Sequence, residues 1–225
     1  LQDPIAQKKE YVRLFEVFAA HDIGYFFYNG GGDSQDTTYK ISEMAKKLKF
    51  PIQCIGIPKT VDNDLPFTDC SPGFGSVAKY VATSTLEAGL DVKSMAETST
   101  KVFILEVMGR HAGWIAASSC LAATKASDPP HIILLPEVPF KKSKFISQVK
   151  QTVKQNGYCV IVASEGTQTK NGKFLADSGL TDAFGHKQLG GVAPVLSSMI
   201  SKIGLKNHWA VAEYLQRSAR HISSR

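Results

Sequence analysis

Apolar residues recur along the chain with two different periods, and the switch between them marks out the elements. Tyr11, Leu14, Phe15 and Phe18 fall at the i, i+3, i+4, i+7 spacing of one buried helix face. Tyr25-Phe26-Phe27-Tyr28 then reads as a short buried strand running into Gly30-Gly31-Gly32. Ile41, Met44, Ala45 and Leu48 return to helical spacing, with Asp33 or Ser34 placed to cap that helix. Cys54-Ile55-Gly56-Ile57 is the next strand. After a polar loop, Ser71-Pro72-Gly73-Phe74-Gly75-Ser76 turns into a helix through about Leu90.

The second half repeats the alternation. Lys101 to Val107, His131 to Leu135 and Tyr158 to Ala163 have the apolar density of strands. Gly113 to about Ala123, Phe145 to Gln155 and about 188–203 read as helices. Lys170-Asn171-Gly172-Lys173 reads as a turn or hairpin tip. Strands alternating with helices predict an α/β fold of parallel βαβ units, with helices on both faces of the sheets. The polar run from Lys93 to Thr100 separates two such groups, which predicts a lobe boundary near Leu90 to Lys101. No internal repeat or low-complexity stretch interrupts them.

Composition narrows this picture only a little. The 225 residues suffice for one large domain or two modest lobes. Hydrophobic content of 43% and charged content of 20% are ordinary for a globular protein. A net charge of +6 favours anionic ligands. The lysines (Lys46, Lys47, Lys49, Lys141, Lys142, Lys144) are scattered rather than striped among aromatics, so nucleic acid is not an expected partner. Cys54 and Cys159 sit inside apolar runs and read as buried free thiols, which favours a reducing, cytoplasmic setting. No apolar run approaches the ~20 residues of a membrane span, so no membrane association is expected. The first residues resemble no signal peptide and include no initiator Met; the chain is expected to begin partway through a larger protein.

Candidate chemistry lies in four polar loops, each following an apolar run: Asn29–Ser34, Ile57–Asp64, Glu106–Arg110 and Ser164–Gly166. In parallel sheets, ligands bind beyond the carboxyl ends of strands, which is where all four fall. Gly30-Gly31-Gly32-Asp33 suits a phosphate cradle, or else a tight turn that needs positive φ. The loop Lys59-Thr60-Val61-Asp62-Asn63-Asp64 carries a cation and two carboxylates. One carboxylate can act as general base on a hydroxyl, and the lysine can neutralise a transferring phosphate. The same residues also suit a polar turn with an Asx cap. Arg110 can fork onto a phosphate or form a surface ion pair, and Glu165 can accept sugar hydroxyls or cap a helix. His111, Trp114 and Phe74 read as packing residues. No zinc spacing, Gly-x-Ser-x-Gly elbow or Gly-x-Gly-x-x-Gly fingerprint is present.

In combination, Pro-Lys-Thr-Val-Asp-Asn-Asp (58–64), Glu-Val-Met-Gly-Arg (106–110) and Tyr-Leu-Gln-Arg (214–217) resemble the phosphofructokinase family, from about Glu16 to the end. Within it they resemble the pyrophosphate-dependent branch. The resemblance implies two lobes, incomplete at both termini: 1–90 a partial donor lobe, 91–213 a sugar-phosphate lobe, and 214–225 the start of a return to the donor lobe. It implies Mg²⁺-dependent, reversible transfer of a phosphoryl group from pyrophosphate to C1 of fructose 6-phosphate. By likeness Asp62 is the base, with Lys59 and Asp33 beside it in the catalytic set and Thr60, Val61 and Asp64 lining the same pocket. Met108, Gly109, Arg110, Glu165, Tyr214 and Arg217 would hold the sugar phosphate. Lys101 occupies a position from which a cation reaches the site of a neighbouring subunit, implying a homodimer or larger homo-oligomer. Gly31 and Gly32 would cradle the donor, with Asp33 near a metal held mainly through phosphates.

ATP-using members typically carry glycine where this chain has Asp33 and Lys59, so both positions favour pyrophosphate. The chain departs from the family at Gly32, where Asp or Asn is usual, and has no counterpart of the family's N-terminal donor strand and loop. A sheet that lacks that strand is expected to expose an edge. The alternatives implied are an ATP-dependent phosphofructokinase and a non-catalytic sugar-phosphate-binding subunit.

Overall fold

The computed structural model describes residues 8–181, 187–189 and 191–217. The chain divides into two compact units, Leu1–Thr60 with Leu65–Pro72, and Val61–Asp64 with Gly73–Arg225.

The first unit is built from α1 (Lys8–Ala20), β1 (Tyr25–Gly30), α2 (Gly32–Leu48) and β2 (Gln53–Pro58). β1 and β2 pair in parallel, with Phe26 opposite Cys54 and Tyr28 opposite Gly56. Tyr11, Phe15 and Phe18 of α1 and Ile41, Met44 and Ala45 of α2 form one apolar cluster, against which Phe26 and Cys54 pack. Both helices therefore cover the same face of the pair. The opposite face, Tyr25, Phe27, Ile55 and Ile57, is exposed at 63, 59, 40 and 42%. This corrects two expectations. β1 is not a buried strand, and in this unit the described helices lie on one face only.

The second unit holds α3 (Phe74–Met95), β3 (Val102–Val107), α4 (Trp114–Ser118), β4 (Ile132–Leu134), α5 (Lys142–Asn156), β5 (Cys159–Ser164), β6 (Asp177–Thr181), β7 (Lys187–Leu189), α6 (Val192–Ser201) and β8 (Asn207–Val211). Its main sheet is four parallel strands in the order β4-β5-β3-β8. Alternate side chains feed two cores. Val102, Ile104, Ile161 and Ala163 join Phe145 and Val149 of α5 and Leu196 and Ile200 of α6. Leu105, Val107 and Val162 join Val77 and Val81 of α3 and Ile115 of α4. Here helices do lie on both faces, and every residue of β5 is buried.

Several expected boundaries shift. α3 continues unbroken through 90, and the units part at Thr60/Val61, Asp64/Leu65 and Pro72/Gly73, so no boundary falls at 90/91. Of the expected third segment, only 214–217 lies within the described residues. The helix expected over 188–203 starts only at Val192, because Gly191 stands at φ 96° and Lys187–Leu189 pairs antiparallel with Asp177–Thr181. β8 was not legible as a strand: its central residues His208, Trp209 and Ala210 are exposed at a sheet edge and lack a strand-like apolar run. The turn at 170–173 is present, closed by Thr169 N–H on the Lys173 carbonyl at 2.9 Å. Trp114, expected in the packing, is 57% exposed.

Candidate active site

Three neighbouring strands of the second unit deliver three of its polar segments side by side. β5, β3 and β8 run parallel, with Val107 opposite Ser164 and Glu106 opposite Val211. Their carboxyl ends continue as Glu165-Gly166, Met108-Gly109-Arg110 and the 3₁₀ turn Glu213–Arg217.

The first two turns are in backbone contact. Gly109 stands at φ 120°, and a Cβ there would come within 2.5 Å of the Ala112 carbonyl oxygen. A Cβ on Gly166 would overlap the Arg110 carbonyl oxygen and lie 2.8 Å from that of Gly109. Only glycine lets the chains approach this closely at both points. In the third segment, the Arg217 guanidinium stacks 4.5 Å from the centre of the Tyr214 ring.

Charge concentrates at these strand ends. Glu165 is half-buried, and burial pushes its carboxyl above its ordinary value. The Arg110 guanidinium and a hydrogen bond with the Gly109 backbone pull it down, while the nearby charges of Asp62 and Glu106 push it up. Glu165 thus feels the charges of both Arg110 and Asp62. The Arg110 Nε is buried with no hydrogen-bond partner among the described residues.

Asp62 reaches this place because Val61–Asp64 belongs to the second unit. Val61 packs against the apolar cluster of Leu105 and Val107. It also lies against Gly73, the residue before α3, where a Cβ would meet Val61 Cγ1 at 3.2 Å. Asn63 is buried in the left-handed region at φ 54°, a conformation that Asn tolerates well, and Asp64 is exposed.

The first unit carries the glycine loop together with Lys59 and Thr60. Lys59 N–H donates to the Gly30 carbonyl at 2.9 Å. Gln35 Nε2 donates to the carbonyls of Gly30 and Ile57, at 2.9 and 3.1 Å, and so ties the ends of β1 and β2 together. A Cβ on Gly31 would lie 3.6 Å from the Lys59 carbonyl, so the two loops touch. The reading as a turn of positive φ does not hold, since none of Gly30, Gly31 and Gly32 stands in that region. The expected cap is also corrected. α2 starts at Gly32, Gly31 is its N-cap, and Asp33 lies exposed inside the first turn. Gly32 has open space where a Cβ would point. Among the described residues, no group of three or more His, Cys, Asp or Glu could hold a metal ion, so the metal role expected of Asp33 finds no set of protein ligands.

Thr60 belongs to the first unit and Asp62 and Asp64 to the second, so the expected common pocket spans a division of the chain. Lys101 does not join the strand-end cluster. It precedes β3, at the end opposite Met108-Gly109-Arg110, and its Nζ donates to the Ala96 carbonyl. Three residues left without a role along the sequence anchor the surroundings of the cluster. The buried Glu106 accepts Ala193 N–H at 2.8 Å in the first turn of α6, and the buried Ser164 and Gln216 bond to the Met108-Gly109 backbone. Their signal was a lone polar residue inside an apolar strand or a charged motif.

The sequence profile described as Phosphofructokinase matches residues 2–221. The chain belongs to the phosphofructokinase family. It is 62% identical over its whole length to pyrophosphate–fructose 6-phosphate 1-phosphotransferase of Halomonas elongata, covering 54% of that protein. It is 58% identical to the protein of that name from Methylococcus capsulatus, covering 97% of this chain and 52% of that one. The crystal structure of the pyrophosphate-dependent phosphofructokinase of Marinobacter aquaeolei superimposes with a TM-score of 0.81 at 63% identity, over 96% of this chain and 50% of that one. The chain thus spans about half the length of the phosphofructokinases it matches. No described helix is long and apolar enough to cross a membrane, and all four cysteines are free thiols.

Proposed function

We propose that this phosphofructokinase chain serves reversible phosphoryl transfer between pyrophosphate and C1 of fructose 6-phosphate, giving fructose 1,6-bisphosphate. The observation that carries the reading is the convergence of Asp62, Arg110 and Glu165 at the strand ends of one unit. A carboxylate able to take a hydroxyl proton and an arginine whose Nε is buried with no hydrogen-bond partner among the described residues thus both act on Glu165. Asp62 removes the proton of the C1 hydroxyl. Arg110, Met108 and Gly109 hold the sugar phosphate from one side, Tyr214 and Arg217 from another, and Glu165 accepts a sugar hydroxyl.

Lys59, separated from Asp62 by two residues of chain, neutralises the phosphate that departs. Asp33 and Lys59 stand where ATP-using members have glycine, which favours pyrophosphate over ATP. Mg²⁺ would be held mainly through the phosphates of pyrophosphate, with Asp33 near it, and would neutralise their charge. Lys101 lies at the far end of β3 from its own Arg110, nine residues along the chain. A contribution to a sugar-phosphate site therefore has to go to a second copy, which is the basis for proposing a homodimer or larger homo-oligomer. Free thiols fit a cytoplasmic setting, and the proposed reaction fits glycolysis or its reversal.

The test is fructose 1,6-bisphosphate formation from fructose 6-phosphate and Mg²⁺, with pyrophosphate in one arm and ATP in the other. It is run on this chain and on the protein at its full natural length. Turnover with pyrophosphate alone is the expected result. Turnover with ATP alone would assign the other donor. Sugar-phosphate binding without turnover at full length would replace the enzyme with a binding subunit.

A further inference from the structure

We infer that Ser164 and Gln216 are positioning residues that set the Met108-Gly109-Arg110 turn from two sides; this rests on reading that turn as the sugar-phosphate clamp. β3 ends at Val107, so the next peptide groups have left the sheet ladder and need other partners. Two buried side chains supply them. Ser164, the last residue of β5, is fully buried; its hydroxyl donates to the Gly109 carbonyl and accepts Gly166 N–H at 3.1 Å. Gln216, also fully buried, accepts Met108 N–H on Oε1 at 3.2 Å and donates from Nε2 to the Glu213 carbonyl at 2.9 Å.

The turn needs this support because Gly109, at φ 120°, has more conformational freedom to lose than any other residue type. Gln216 does more than brace one turn. It lies between Tyr214 and Arg217, so its amide registers their 3₁₀ turn against the carboxyl end of β3. Ser164 likewise registers Glu165 against Gly109. One hydroxyl and one amide, neither reaching the ligand, therefore fix the mutual placement of the three segments proposed to grip a single phosphate sugar.

The experiment uses Ser164→Ala and Gln216→Met in the protein at its full natural length, with fructose 6-phosphate and pyrophosphate affinities measured separately by calorimetry and by KM. Each variant is expected to weaken fructose 6-phosphate binding by about tenfold, the worth of one buried hydrogen bond, with pyrophosphate affinity and kcat within about twofold. Amide exchange of Met108 reads the turn without any ligand and should quicken in Gln216→Met while the β3 amides before it stay protected. Unchanged fructose 6-phosphate affinity, or equal losses for both substrates, would overturn the inference. So would an unchanged Met108 exchange rate. Ser164→Ala removes a single oxygen atom and carries the affinity test alone if Gln216→Met does not fold. A wild-type protein that binds no fructose 6-phosphate would defeat the proposed function instead, while the exchange measurement still decides whether Gln216 fixes the turn.

Discussion

The two units use parallel strands of similar apolar content and reach opposite degrees of burial. β5 in the second unit is buried at all six residues. β1 in the first is buried only at Gly30. The difference does not lie in the strands. The β4-β5-β3-β8 sheet has two helices packed on each face, each with its own core. Within the first unit, the β1-β2 pair has α1 and α2 on one face and none of that unit's described helices on the other. An apolar strand is buried on as many faces as there are partners to cover it.

The same contrast extends to chemistry. In the second unit the buried side chains of Ser164 and Gln216 hold the loops, whereas in the first the half-buried Gln35 and backbone bonds do so. The second unit should therefore respond to mutation through stability and sugar-phosphate binding, and the first through donor choice.

The largest expected effect tests where the base resides. Asp62→Ala should lower pyrophosphate-dependent turnover by about 10²–10⁴-fold, while calorimetry finds fructose 6-phosphate still bound. Unchanged turnover would remove Asp62 from the reaction. The next test pits the two sheets against each other in urea unfolding of this chain. Ile161→Ala, in the core of β5, should cost about 2–5 kcal/mol, and Phe27→Thr, on the open face of β1, less than about 0.5 kcal/mol. A Phe27→Thr cost near that of Ile161→Ala would mean that the open face is covered in solution.

A third test addresses the donor side. Asp33→Gly combined with Lys59→Gly should admit ATP while leaving the fructose 6-phosphate KM within about twofold. Failure of the double variant to bind ATP would end this account of donor choice.

The smallest effect is a pH dependence. Burial raises the carboxyl of Glu165 above its ordinary 4.5, so the folded state holds that proton more tightly than the unfolded chain does. Its stabilising contribution is complete below pH 4.5 and is lost as pH rises through the higher folded value. Glu165→Gln cannot lose it. The variant's unfolding free energy should therefore gain on the wild type's as pH climbs from 4.5 toward neutrality, and a flat difference would show that Glu165 is not buried as described. Glu106 carries a shift of the same sign from burial and remains in both proteins.

Much of the fold and of the candidate site was legible along the chain. Helical spacing in Tyr11–Phe18 and Ile41–Leu48 and the apolar runs at 102–107 and 159–164 are local patterns, so the α/β alternation follows from them. The loops after the runs at 102–107 and 159–164 hold Arg110 and Glu165, because parallel strands of one sheet point their carboxyl ends the same way. The edge strand Asn207–Val211 was hidden for the converse reason: with a neighbour on one side only, it needs no apolar run.

Residue order thus determined the element types and the family and marked out the candidate site residues, all of which depend on near neighbours in the chain. Tertiary structure alone decided the rest. It set the division at Thr60/Val61 that separates Lys59 from Asp62, the open face of β1 and β2, and the burial that raises Glu165. It also gave Gln216 a partner 108 residues away at Met108. Burial and hydrogen-bond satisfaction depend on which distant groups arrive, and local periodicity carries no record of that.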